Sequence, residues 1–204
     1  MDMGANNFTQ VGFRGRDDTV SESTNDSWFA ALNTNWIASE LDTNFRARFI
    51  IGRTVNANDN TKAWTLFHSH NGGSFIKTTT TSSVIKTVAS NVPGFDDDDD
   101  CTQLIGSDTF ITPNLGVNEA DESTGSFTWT GNAGSTTETE TEWTLQIVSS
   151  DLEIGDIIEL RIRNSDESVL NGGYTFFPII SIQRPRISVR GGILGIRGGT
   201  VQSK

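Results

Sequence analysis

Apolar and polar positions alternate along several stretches of the chain, and the alternation has a period of two. In Phe45-Arg46-Ala47-Arg48-Phe49-Ile50-Ile51 the odd positions are apolar and two of the even ones are arginines. Residues two apart share a face of a strand, so this pattern predicts strands with one buried side. Trp64 to Ser69 follows, and the Asn71-Gly72-Gly73 turn leading into Ser74–Thr78 is a hairpin signal. Val84–Val88, Asp108–Ile111 and Phe127–Trp129 read as further short strands. Glu140–Ile147 turns Trp143, Leu145 and Ile147 inward, and Asp156–Arg163 does the same with Ile158, Leu160 and Ile162. Tyr174–Ile182 is the most apolar stretch, and because Pro178 has no N–H to donate, it is expected at an edge or with a bulge. Only Ser27–Trp36 reads as a short helix, capped by Ser27 and weakened by Asn33 and Asn35. Strands with one apolar face each predict two sheets packed about 10 Å apart. The expected fold is all-β, an antiparallel two-sheet β-sandwich of jelly-roll or Ig-like type.

Composition supports that reading. Thr (26), Ser (20), Asn (16) and Gly (20) make up 82 of the 204 residues. Threonine's branched Cβ fits a pleated surface, and the other three favour turns. Hydrophobic residues are 34 % of the chain, and no apolar run approaches the roughly 20 residues of a membrane helix. The opening MDMGANNFTQ has neither the basic start nor the apolar core of a secretory signal, and none is expected. The one cysteine, Cys101, has no partner in the chain for a disulfide, and no Cys/His zinc spacing exists.

Charge divides the chain unevenly. The formal net is -11, yet residues 184–204 carry five bases and no acid: Arg184, Arg186, Arg190, Arg197 and Lys204. The first 183 residues then hold 10 bases against 26 acids, a net of -16. With Gly191, Gly192, Gly195, Gly198 and Gly199, the end reads as a basic, glycine-rich arm able to lie along an acidic neighbour. Residues 1–26, poor in apolar side chains, are expected to form an N-terminal arm, leaving 27–183 as the sandwich domain.

Several motifs carry possible chemistry. The run Asp96–Asp100 offers Asp96, Asp98 and Asp100 as Ca²⁺ ligands, but it lacks the spacing of a calcium loop and reads first as a solvated, self-repelling loop. Such a loop also suits the basic arms of neighbouring copies. His68 and His70 have the spacing of a strand metal pair without an evident third ligand. Glu138, Glu140 and Glu142 line one strand face, and paired carboxylates are what glycosidases use. An exposed face of like charges is the simpler expectation. Of the tryptophans Trp28, Trp36, Trp64, Trp129 and Trp143, Trp64 and Trp143 are in phase with the core, and Trp129 is the candidate for stacking on a glycan. The glycine pairs of the basic arm lack a following GK[ST], so they are not a phosphate loop. The acidic net charge disfavours nucleic acid as a partner. No catalytic residue, metal site or cofactor is assigned, and the chain is not expected to be an enzyme.

The stretches Asn44-Phe45-Arg46-Ala47-Arg48-Phe49, Leu66 through His70-Asn71-Gly72-Gly73, Ser82-Ser83-Val84, and Thr102-Gln103-Leu104 with Gly106 and Thr109-Phe110 form a set. Thr141-Glu142-Trp143-Thr144-Leu145-Gln146, Gly155-Asp156 before Glu159-Leu160-Arg161, and Tyr174-Thr175 before Pro178 complete it. In these features, over about residues 27–183, the chain resembles virion-associated β-sandwich proteins of tailed bacteriophages. The resemblance implies a virion component assembled in the host cytoplasm, an auxiliary or decoration protein bound to the major capsid protein or other virion proteins and to copies of itself. A tail, neck or fibre component, and a carbohydrate-binding module on the virion surface, are the alternative expectations. The resemblance implies no catalytic residue and stops before the basic arm.

Overall fold

The structure is a computed structural model that describes residues 7–21, 23–38, 40–54, 60–93, 99–100, 102–110, 115–117, 127–129 and 137–183. In chain order the strands are β1 (Asn7–Asp17), β2 (Trp36–Ala38), β3 (Asn44–Thr54), β4 (Asn60–Lys62), β5 (Trp64–His70), β6 (Ile76–Lys77), β7 (Ile85–Thr87) and β8 (Asp99–Asp100). They continue as β9 (Thr109–Phe110), β10 (Leu115–Val117), β11 (Phe127–Trp129), β12 (Thr137–Ile147), β13 (Ile157–Asn164), β14 (Gly173–Tyr174) and β15 (Ile179–Ile182).

The protein is all-β, built on two mixed sheets. The first has the order β14-β1-β3-β12-β7, with β9 also on β12; the second has the order β2-β15-β13-β5-β6. Most pairings are antiparallel, as expected, but β1/β14, β12/β9 and β15/β2 are parallel. Parallel neighbours arise where a long excursion, rather than a tight turn, brings the chain back.

Alternation fixes the core. Phe45, Ala47, Phe49 and Ile51 of β3 and Trp143, Leu145 and Ile147 of β12 meet Trp64 and Leu66 of β5, Ile158, Leu160 and Ile162 of β13, and Ile180 and Ile182 of β15. Burying one such side chain contributes about 1.5–3 kcal/mol, so this shared core is the main cohesive term. A polar stitch supplements it. Gln10 of β1 is fully buried; its Oε1 accepts from Ile162 N at 2.9 Å, and its Nε2 donates to Phe176 O at 2.9 Å. One side chain thus ties the first sheet to the second.

Three expectations are corrected. Residues 7–17 are not part of an arm: β1 lies between β14 and β3, pairs with β3 from Asn7↔Thr54 to Asp17↔Phe45, and buries Phe8 and Phe13. Its few apolar residues suffice because glycines at 12 and 15 and polar residues with internal partners fill the other positions. Residues 27–36 form no helix. Ser27 and Asn33 have left-handed φ of 60° and 58°, Trp28 bridges to Arg16, and Trp36 opens β2. The Tyr174–Ile182 stretch breaks at Pro178 into β14 and β15, and β15 lies inside its sheet, between β2 and β13.

The hairpin at 71–73 forms as its residues require. Asn71 and Gly72 have φ of 51° and 73°, and Gly73 N donates to His70 O at 2.9 Å. Left-handed conformations at both central positions match the right-handed twist of the flanking strands.

Candidate functional site

Beyond the bulge between Gln10 and Gly12, the even positions of β1, like those of β3 and β12, point away from the apolar core. Cross-strand pairing sets Arg16 beside Arg46, Arg48 beside Glu142, and Arg46 beside Thr144. Both the arginine alternation and the Thr-Glu repeat were expected to face solvent. Instead Arg16, Arg46, Arg48, Glu140 and Glu142 are each fully buried. The segments that follow β1 and precede β9 lie over this face and exclude water.

Charge is balanced inside this layer. Glu142 receives Arg16 through Nε at 2.6 Å and Nη2 at 2.8 Å, a bidentate pair, and Arg48 Nη2 at 2.6 Å. Arg48 Nη1 also reaches Glu140 Oε2 at 2.7 Å and donates to Thr102 O at 2.8 Å. Glu140 Oε1 accepts the backbone N–H groups of Leu104, Ile105 and Gly106 at 3.0, 2.8 and 2.7 Å. Arg46 Nε lies 3.3 Å from Asp18 Oδ1, and its Nη2 donates to Val20 O. Asp18 in turn accepts Ser90 Oγ at 2.5 Å and Asn91 N at 2.8 Å. Three guanidinium groups (Arg16, Arg46, Arg48) face three carboxylates (Asp18, Glu140, Glu142). The Trp28 ring lies over Arg14 and Arg16, 4.6 and 4.9 Å from their guanidinium carbons.

Titration follows from these contacts. Burial alone would raise the Glu142 carboxyl, but Arg48, Arg16 and Arg46 outweigh it and hold the group below its ordinary value. Glu138, at the end of the run, is raised by burial, which outweighs the Gln103 amide donating to it at 2.7 Å. Desolvation lowers Arg46. The sequence contained every member of this layer. What it lacked was a signal that chain segments would cover the face; the one hint was arginines and glutamates at matched alternation on two long strands.

The other candidates separate. His68 is buried, with Nδ1 3.0 Å from Thr78 Oγ1; desolvation, then His70, pull its imidazole down to about 4. His70 Nε2 lies 2.9 Å from Asp156 Oδ2. Asp156 is pulled down to about 2, first by the Asn71 amide at 2.7 Å, then by Glu153 N and by His70. The two imidazoles therefore serve different partners rather than one ion. Among the described residues no group of three or more His, Cys, Asp or Glu side chains is placed to hold a metal. Asp96, Asp98, Arg184, Arg186, Arg190, Arg197 and Lys204 lie outside the described residues, as do the side chains of Asp100 and Trp129. Trp64 and Trp143 are fully buried, as expected.

A second surface was not foreseen. On the outward side of β13, Arg161 lies 4.5, 4.6 and 4.9 Å from the ring centres of Phe75, Phe177 and Tyr174, and Arg163 lies 4.4 Å from that of Phe67. Glu159 anchors Arg161 Nη2 at 2.6 Å. These rings come from three separate stretches, around Phe67, Phe75 and Tyr174–Phe177, so no single one displays them together. No family model, curated protein or solved structure matches the chain.

Proposed function

We propose that this chain is a non-enzymatic structural protein of a bacteriophage virion, an auxiliary or decoration protein seated on the capsid. Its two sheets would act as a rigid β-sandwich filling gaps between capsid subunits, with the basic segment 184–204 reaching adjacent molecules. Many weak contacts of this kind add through multivalency.

The observation that carries this reading is the state of the carboxylates on β12. Glu140 and Glu142 are the groups an acid–base mechanism would need, yet both are fully buried and both oxygens of each are engaged internally. A catalytic carboxylate must reach the atom whose proton it moves. These are built to hold strands together, which is what a load-bearing shell component requires. The bacteriophage setting rests on the sequence resemblance.

Copy number per particle, read from a stained gel of purified virions, tests the proposal. A lattice-wide number supports a decoration protein; a ring-like number supports the tail, neck or fibre alternative; absence from the particle overturns both. Removal of residues 184–204 should leave soluble protein that no longer joins particles, and normal occupancy by the truncated form would count against the arm. Glycan-array binding lost on Trp129→Ala would favour a carbohydrate-binding module instead.

A further inference from the structure

The outer side of the first sheet is enclosed, but on the second sheet β13 turns two arginines outward into solvent. Arg161 and Arg163 are half-buried, and the Arg161 side chain keeps 29 % of its surface exposed. Rings flank them from both directions: Phe67 and Phe75 on the β5 and β6 side, Tyr174 and Phe177 ahead of β15 on the other. A guanidinium held against ring faces keeps its N–H edge for hydrogen bonds, and that edge is the fork that takes a carboxylate through two bonds at once. Within the chain these heads are incompletely used. Nε of Arg161 and Nε of Arg163 have no hydrogen-bond partner among the described residues, and the contact from Arg163 Nη1 to Glu167 O is long, at 3.4 Å.

Charge on this face runs against that of the body. Lys77 lies opposite Phe67 in the β5/β6 pair and shares its side, which sets Arg161, Arg163 and Lys77 against Glu159 alone. The first 183 residues carry a net of -16, so the sign reverses locally. Neighbouring carboxylates are engaged elsewhere, Asp156 with Asn71 and His70, and Asp166 with Ser168 N and Oγ. A long polyanion laid here would run on into negative surroundings; a short acidic stretch would not. Two copies meeting face to face would set like charges against each other.

Spacing narrows the occupant further. Arg161 and Arg163 are two apart on one strand face, so their attachment points are about 7 Å apart, the separation of alternate side chains on an extended peptide. Farther along the same face, β13 begins with Ile157, 44 % exposed, and the register carries that row through Ser181 to Ile37, 53 % exposed. Arginines and aromatic rings beside open apolar side chains make up the anchoring part of a protein interface.

We propose that this face docks an acidic, extended segment of a partner protein, with alternate carboxylates received by Arg161 and Arg163 and apolar side chains of the same segment received at Ile157 and Ile37. The chain already matches a Thr-Glu repeat to alternating arginines between β12 and β3; its outer face offers the arginine half of that arrangement to another molecule. The surface belongs to the folded chain alone, so it stands or falls separately from incorporation into a particle.

The test uses the full chain and a fluorescein-labelled peptide, Thr-Glu-Thr-Glu-Thr-Leu-Thr-Leu, followed by fluorescence anisotropy, with a glutamine-for-glutamate version as control. The acidic peptide is expected to bind and the glutamine version to bind much more weakly. Arg161→Ala and Arg163→Ala are each expected to weaken binding about tenfold or more, the scale of a lost charged hydrogen bond. Arg161→Lys keeps the charge and gives up the fork, so its affinity is expected to fall between. Ile157→Ser, at a solvent-exposed position, is expected to weaken binding about two- to fivefold. Should Arg161→Ala lower the urea midpoint, Arg161→Lys and Ile157→Ser carry the comparison. Equal binding of the two peptides, or indifference to the arginine substitutions, overturns the proposal. So does tighter binding of a heparin fragment or a single-stranded oligonucleotide, which would assign the face to sulfate or phosphate. Concentration-dependent sedimentation of the chain alone, abolished by Arg161→Ala, would seat a second copy there and overturn it as well.

Discussion

Single residues of the ionic layer hold more stability than their surface-like sequence pattern suggests. Removing one partner of a buried ion pair leaves the other charge uncompensated and costs about 3–5 kcal/mol. Glu142→Gln, which removes the carboxylate that Arg16 and Arg48 share, is expected to lower the unfolding free energy by that amount in urea titrations; a change below about 1 kcal/mol, the scale of exposed pairs, would contradict the buried arrangement. His68 gives a second residue-scale prediction. Its imidazole titrates near 4 in the fold, against an ordinary 6.5. Between those values the unfolded chain binds a proton that the folded one does not, so stability falls as pH falls from 6.5 and the loss is complete below 4. The full difference is about 3 kcal/mol, and His68→Gln should flatten the acid limb of a stability–pH curve by a similar amount.

The elements show which parts of the fold were legible in the chain. Strands β3, β12 and β13 were readable because alternation along long runs survives most contexts, and β5 because an apolar run precedes the Asn71-Gly72-Gly73 turn. β1 was not, since Gln10, Gly12, Arg14, Gly15 and Arg16 show no apolar stripe, and its place in the sheet depends on pairing with β3 and on the Gln10 stitch. The 27–36 segment contained helix-compatible residues, but its backbone turns left-handed at Ser27 and Asn33 so that Phe29 and Trp36 can close one end of the core. The ionic layer was half legible: its members were visible, their cover was not. The β1/β14 junction offers an element-scale prediction. A methyl group at Gly172 would sit 2.7 Å from Phe8 O, a backbone atom that cannot swing aside, while Gly172 N donates to that same oxygen at 2.8 Å. Gly172→Ala is expected to cost about 1–3 kcal/mol, the usual penalty of forced overpacking, and to raise hydrogen exchange first at Phe8–Gln10. Protection at those amides equal to wild type would show that the junction yields without strain.

At the scale of the whole molecule, one sheet has hydrocarbon on its inner side and charge on its other side, and both are enclosed. A side-chain period of two means that sliding β3 by one residue exchanges its faces. The slip would drive Arg46 and Arg48 into the hydrocarbon and carry Phe45, Ala47 and Phe49 out among carboxylates. Misaligned strand pairings, a hazard for any chain with so many short threonine-rich strands, are thereby penalised twice over. The alignment lock draws on positions near 16, 46, 102 and 141, spread across more than half the sequence. Correct alignment is therefore sensed only when distant parts have already met, and folding of this protein should be all-or-none across both sheets.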